Sequence, residues 1–188
     1  KTAWPPTLCV VLLAILADQS TINSEALINS LTMGLVATFI ALLLLLLWLE
    51  WGPQRRQLWL WLPILLPALP LVAGQYTLAL WLKLDGSWTA VVWGHLLWVM
   101  PWMLFILQPA WQRIDSRLIL IAQTLGWSRA KIFFYVKCPL MLRPVLIAFA
   151  VGFAVGIAQY MPTLWLGAGR FPTLTTEAVA LSSGGSNG

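Results

Sequence analysis

The chain is a succession of long apolar stretches separated by short polar ones. Five runs contain no Asp, Glu, Lys or Arg: Thr2–Ala17, Ala26–Leu49, Gln57–Leu82, Gly86–Gln112 and Pro144–Gly169. A membrane-crossing helix needs roughly 20 predominantly apolar residues, each rising about 1.5 Å. The last four runs reach that length, and the first, with 16 residues, is marginal. The pattern predicts an all-α, polytopic transmembrane helix bundle forming a single domain over residues 1–188. About five spans are expected, near residues 4–17, 30–49, 58–82, 87–109 and 140–164. Asn29 and Ser30 read as residues capping the start of the second span. Asp18–Asn29 and Gly167–Gly188 read as loops on one side, and Glu50–Gln57 and 111–139 as loops on the other. Pro63, Pro67 and Pro70 share one face of the third expected span. They predict either a static kink or an irregularity facing a pathway, because proline frees carbonyls that neighbouring helices must satisfy.

The most informative interruption is Leu120–Pro139, LIAQTLGWSRAKIFFYVKCP. Its spacing predicts two short helices and a turn. Ala122 to Leu125 closes the first helix, and Gly126 is the residue type favoured just past a helix end, where the backbone turns left-handed. Ser128 can cap a second helix over Arg129–Val136. Pro139 stands where the next span begins, and proline is tolerated in a first helical turn. A compact helix-turn-helix in the water phase of a membrane protein predicts a docking surface for another protein.

Composition and charge agree with a membrane protein. Hydrophobic residues make up 60% of the chain and charged residues 9%, against about 25% charged in a typical soluble domain. The loops at 50–57 and 111–143 hold Arg55, Arg56, Arg113, Arg117, Arg129, Lys131, Lys137 and Arg143, whereas the other side holds Lys83, Arg170 and Lys1. That asymmetry places the first set in the cytoplasm. The net charge of +5 therefore reports topology, and no nucleic-acid partner is expected. Trp48, Trp51, Trp59 and Trp61 flank one interface and Trp81 and Trp88 the other, as aromatic belts do. Cys9 and Cys138 fall on different segments and suit neither a metal site nor a disulfide framework. Lys1 in place of an initiator Met reads as a fragment of a longer chain. The N-terminal stretch, with Trp4, Pro5 and Pro6, does not read as a signal peptide.

Leu120–Pro139 resembles the EAA loop of permease subunits of binding-protein-dependent ABC importers, which have a MetI-like transmembrane domain. That motif is Glu-Ala-Ala, three residues, Gly, nine residues, Ile, any residue, Leu, Pro. Ala122, Gly126 and Pro139 match it in register, and Val136 replaces the isoleucine. Leu120, Ile121 and Cys138 stand where the family has Glu, Ala and Leu. The Pro-rich LPILLPALPLVAG, a span containing His95 and Pro101, and GIAQYMPTLWLGAGRFPT extend the similarity. The last segment is most like thiamine-, iron- and sulfate-type permeases, and closest to the second half of an enterobacterial one.

The resemblance implies a bundle that moves a small solute from a periplasmic substrate-binding protein to the cytoplasm by alternating access. A separate ABC ATPase subunit would drive it, docked at Leu120, Ile121, Ala122, Gly126, Arg129 and Pro139. It also implies a second permease half, as a partner chain or a missing N-terminal half, and a bacterial inner membrane as the setting. Taken singly, Arg129, Lys131 and Lys137 read equally well as ordinary positive-inside residues. His95 is the one ionisable side chain well inside a span, tyrosine aside. Such residues are functional by default, yet a packing or gating role suits it better than ligand or proton-relay duty. Gln75, Gln159, Tyr160 and Thr163 lie in the outer halves of spans, where they line a pathway or only bond between helices. Gly167–Thr173 reads as a periplasmic turn or as a gate or docking surface for the binding protein.

There is no Gly-Lys-Ser/Thr phosphate loop, no HExxH and no GxSxG, so no catalytic residue, metal site or cofactor is expected. The competing class is a secondary, ion-coupled transporter or another polytopic membrane protein. A secondary transporter usually carries ionisable residues near the midplane, where this chain offers only His95.

Overall fold

The computed structural model describes residues 24–52, 63 and 66–184. Every regular element among them is helical. In chain order they are α1 (Ser24–Trp51), α2 (Ala68–Trp81), α3 (Trp88–Gln112), α4 (Ser116–Thr124), α5 (Arg129–Ile132), a π-helical turn (Phe133–Lys137), α6 (Cys138–Leu140), α7 (Leu142–Ile157), α8 (Met161–Leu166) and α9 (Leu174–Gly184). Helices α1 and α3 are long and apolar enough to cross a membrane. The stretch Arg129–Leu140 with α7, bent by 74°, makes a third candidate if counted as one span. The expected span at 4–17, and residues 58–62 and 64–65 of the one expected at 58–82, lie outside the described residues.

The core is a bundle of α1, α3 and α7. Ala41, Leu42, Leu45 and Leu49 of α1 pack against Val99, Met103, Leu104 and Leu107 of α3, and Met141 and Ala148 complete the layer. The faces away from this core are equally apolar: Phe39, Leu43 and Leu47 of α1, Phe105 of α3 and Ile147 of α7 are exposed. A helix that is apolar all round belongs in lipid. Hydrocarbon gives no hydrophobic drive for helices to associate, so close packing of small residues must hold them. Gly34 and Thr38 of α1 face Gly152 and Gly156 of α7, and a Cβ built on Gly156 would lie 3.3 Å from Gly34 Cα. The Thr38 hydroxyl satisfies itself on its own helix by donating to Gly34 O (2.7 Å).

Several boundaries differ from the sequence expectation. Helix α1 begins at Ser24, not at 30, so Asn29 and Ser30 are interior rather than capping residues. Glu50 and Trp51, expected in a loop, form its last turn. Helix α2 starts only at Ala68, with Pro67 as its N-cap and Pro70 in its first turn. These two prolines open the helix where their missing N–H groups cost nothing, so they do not kink it. Helix α3 follows the Ser87 cap, whose hydroxyl accepts from Ala90 N (3.2 Å), and extends past the expected end at 109 to Gln112. The apolar run at 140–164 is not one helix, because α7 stops at Ile157 and α8 starts at Met161. The polar tail expected to be turns carries α9 over Leu174–Gly184. Its start is secured by a reciprocal pair: Thr176 N donates to Thr173 Oγ1 (3.4 Å) and Thr173 N to Thr176 Oγ1 (2.8 Å), the logic of a capping box.

The contact at Gly156 is with backbone, which cannot swing aside. Gly156→Leu is expected to force α1 and α7 apart at a cost of about 1–3 kcal/mol. Thermal unfolding of the detergent-solubilised protein would show this as a lowered midpoint, with Gly74→Ala, a site with open space, as control.

Candidate functional site

The helix-turn-helix lies at the end of the bundle where α1 and α3 finish. Asp115 caps α4 by accepting from Arg117 N (2.9 Å). Helix α4 ends at Gly126, whose φ of +73° is the left-handed conformation that favours glycine. Gly126 N donates to Gln123 O (2.9 Å) and Trp127 N to Ala122 O (3.1 Å), which uses two of the carbonyls a helix end leaves open. Ser128 then accepts from Lys131 N (3.4 Å) and starts α5. The second helix continues beyond Ile132 as the π-turn to Lys137, and Pro139 sits in the first turn of α6. A Cβ on Gly126 would meet nothing within 4 Å, so the turn stands clear of the rest of the chain.

The residues expected to dock a partner divide into two sets. Leu120 and Ile121 are exposed on α4, as are Leu125 and, on the second helix, Phe134 and Tyr135, which had not been expected from the sequence. Arg129 and Pro139 are also largely exposed. Ala122 instead faces inward and is buried, which holds α4 against the loop's own interior. Lys131 lies over the Trp127 ring at 4.6 Å.

Beneath the loop is a residue the sequence reading passed over. The Glu50 side chain, only 1% exposed, lies in the last turn of α1 and faces the second helix of the loop. Arg129 Nε donates to Glu50 Oε1 (2.8 Å) and Lys137 Nζ to Oε2 (2.5 Å). Arg129 Nη2 also donates to the Glu50 backbone carbonyl, one of the orphan carbonyls at the negative end of the α1 dipole. Phe133 packs on Trp51 of α1 and Trp111 of α3, with ring centroids 5.3 and 6.2 Å apart. Lys137 lies 4.8 Å from the Trp111 ring centre. A groove of about 330 Å³ opens beside Glu50, lined also by Ile119, Gln123, Trp127, Arg129, Ile132 and Lys137. One signal was available in the sequence. On the basic side of the chain only Glu50 and Asp115 are acidic, and a lone carboxylate among cations has a partner to find.

A polar cluster lies toward the opposite end. His95, 2% exposed, faces Val91 O through Nδ1 (2.7 Å) and Thr163 Oγ1 through Nε2 (3.4 Å). Val91 O can only accept, so Nδ1 carries a proton; in a neutral ring Nε2 is then an acceptor. Thr163 has one hydroxyl proton and a nearer acceptor in Gln159 O (2.9 Å). The two acceptors therefore compete, and His95 Nε2 is left with capacity for a further donor. Gln159 and Tyr160 occupy the break between α7 and α8 and are half-buried. Gln75 of α2 is buried, and neither its Nε2 nor its Oε1 has a partner. Thus His95, Thr163 and Gln159 come together, whereas no hydrogen bond links Tyr160 or Gln75 to them among the described residues.

Comparison with known proteins fits this arrangement of a basic helix-turn-helix loop on an apolar bundle. A sequence profile of binding-protein-dependent transport system inner membrane components matches residues 56–184. The chain belongs to that family. It is a multi-pass membrane protein with the MetI-like permease architecture. It is also similar to proteins named spermidine/putrescine transport system permease protein PotC homolog. The one from Mycoplasma genitalium is 30% identical over 107 residues, 55% of this chain and 37% of the relative. The one from Mycoplasma pneumoniae is 30% identical over 94 residues, 50% of this chain and 32% of the relative. The matched part of the chain thus spans about a third of the length of these relatives.

Thr163→Val keeps the side-chain shape but removes the hydroxyl shared by Gln159 O and His95. The substitution is expected to destabilise the protein by about 1–3 kcal/mol, the cost of stranding a buried polar group, and Thr163→Ser to restore most of it. Thermal unfolding in detergent measures both.

Proposed function

We propose that this chain is the permease part of an ATP-driven importer in a bacterial inner membrane. The helix-turn-helix over Ser116–Pro139 would be the element that docks a separate ABC ATPase subunit. The observation that carries the reading is the geometry of that loop within a permease family. Its turn, at Gly126, has open space where a side chain would stand, and Leu120, Ile121, Leu125, Phe134 and Tyr135 present apolar surface on the side of the bundle rich in Arg and Lys. Exposed apolar side chains in a water-phase loop call for a protein partner.

The mechanism is alternating access. ATP binding closes two ATPase subunits, each seated on one such loop, and the loops carry that motion into the spans. The pathway opens outward to receive a solute from a periplasmic binding protein, then inward after hydrolysis. One loop engages one ATPase, so a second permease half is required, fused or separate. His95 Nε2, Thr163, Gln159 and Tyr160 are the pathway groups, offering uncharged hydrogen bonds to a small polar solute. Polyamines are the solute class suggested by the names of the Mycoplasma relatives. Thiamine, iron or sulfate are suggested by the resemblance of residues 156–173.

Co-purification tests the docking role. The full-length permease, tagged, is expressed with its ATPase subunit and solubilised in detergent. Asn tolerates a left-handed backbone, so Gly126→Asn is expected to keep the loop folded while placing a side chain on the turn. Binding of the ATPase should weaken about tenfold, equivalent to about 1.4 kcal/mol. An ATPase that never co-purifies, with wild type and variant alike, would overturn the importer reading in favour of an ion-coupled transporter.

A further inference from the structure

We propose that α1 is a connecting rod, gripped by the docking loop at one end and holding the outer segment Pro172–Leu174 at the other. Through it, displacement of the loop would reach the outer mouth. This rests on the importer reading above and assigns Glu50, Asn29 and Ser30 as positioning residues.

At the inner end, the two carboxylate oxygens of Glu50 take two different cations from the loop, and Arg129 also holds the last turn of α1 through its carbonyl. A buried ion pair adds little net stability over apolar packing of the same volume. What it supplies instead is direction. Apolar contacts slide, whereas a carboxylate held at both oxygens fixes the loop in angle and in register. The loop is joined to α3 by the chain itself through 113–115, but its side-chain contacts with α3 are of the sliding kind, namely Phe133 against Trp111 and Lys137 over the same ring.

At the outer end the attachment is again polar. Asn29 Nδ2 donates to Pro172 O (3.1 Å), and Ser30 Oγ accepts from Leu174 N (2.8 Å). The Ser30 hydroxyl thereby serves the first turn of α9 rather than its own helix. From Ser30 to Glu50 the helix is unbroken, a rise of about 30 Å at 1.5 Å per residue. That is the thickness of the hydrocarbon core. The outer segment is not a rigid continuation of α7, because the helix breaks at 158–160. A chain of discrete attachments on one rigid element is a physical route for coupling.

The test uses the full-length permease with its ATPase subunit in proteoliposomes. A fluorescent label is placed on Arg170→Cys, with Cys9 and Cys138 replaced by Ser. Addition of ATP and magnesium should change the label's emission in the otherwise wild-type protein. Glu50→Gln breaks the inner attachment, and the Asn29→Ala/Ser30→Ala double variant breaks the outer one, far from the ATPase. For each, the response per ATP hydrolysed is expected to fall about tenfold, within the usual range of coupling energies. The double variant should still retain the ATPase on purification. Glu50→Asp should recover part of the response. An unchanged response per ATP in the double variant would overturn the proposal, as would a wild-type label blind to ATP. If Glu50→Gln does not fold, the double variant decides alone. An ATPase that fails to bind the wild type instead removes the importer reading itself.

Discussion

The distance between α1 and α7 is set by two backbones meeting at Gly34 and Gly156, and much of the molecule is arranged around that contact. In lipid, apolar surface gains nothing by leaving the hydrocarbon for a neighbouring helix. Association must come from close fit, and close fit needs residues without bulk. With α1 and α7 held near one another, α3 fills the groove they form, and Met103 reaches across to Gly152. The chain entering α7 is then obliged to arrive beside the end of α1. That places Lys137 within reach of Glu50, although 87 residues separate them in sequence.

Polar groups concentrate at the two ends of this tightly packed middle, and each end is organised by a long-range partner. Asn29 and Ser30 hold residues near 173, and Gly86 N donates to Leu166 O (2.9 Å) to tie the α2–α3 turn to α8. Among the described residues, His95, Gln75 and the indole N–H groups of Trp48 and Trp98 have hydrogen-bonding capacity that the surrounding helices do not use.

Local signals were legible in the sequence. Much of the helix-turn-helix could be read locally, because Gly126, Ser128 and Pro139 act on their immediate neighbours through backbone handedness, a cap and a missing N–H. The apolar runs likewise announced α1 and α3. What could not be read was decided at long range. Ser30 looks like a cap and is one, but for a helix 144 residues further on. Glu50 looks like the first residue of a loop because a charge ends its apolar run, and only the folded loop shows the cations that permit its burial. The break after Ile157 leaves no trace in hydropathy, since Pro144–Gly169 is apolar throughout. It is sustained by Gln159 O, which receives Thr163 and Thr175 hydroxyls in place of helical partners.

The π-turn at Phe133–Lys137 constrains how the family loop can change in length. Such a turn accommodates one residue more than the α-helix it interrupts. The thirteen-position step from Gly126 to Pro139, shared with the family motif, includes that extra residue. Each residue in an α-helix turns the chain by about 100°. A deletion in a regular α-turn therefore swings all that follows, whereas a deletion within the π-turn lets it close to an α-turn with the flanking helices kept in phase. The five residues 133–137 are thus the part of this loop best able to give up one residue without re-aiming α7.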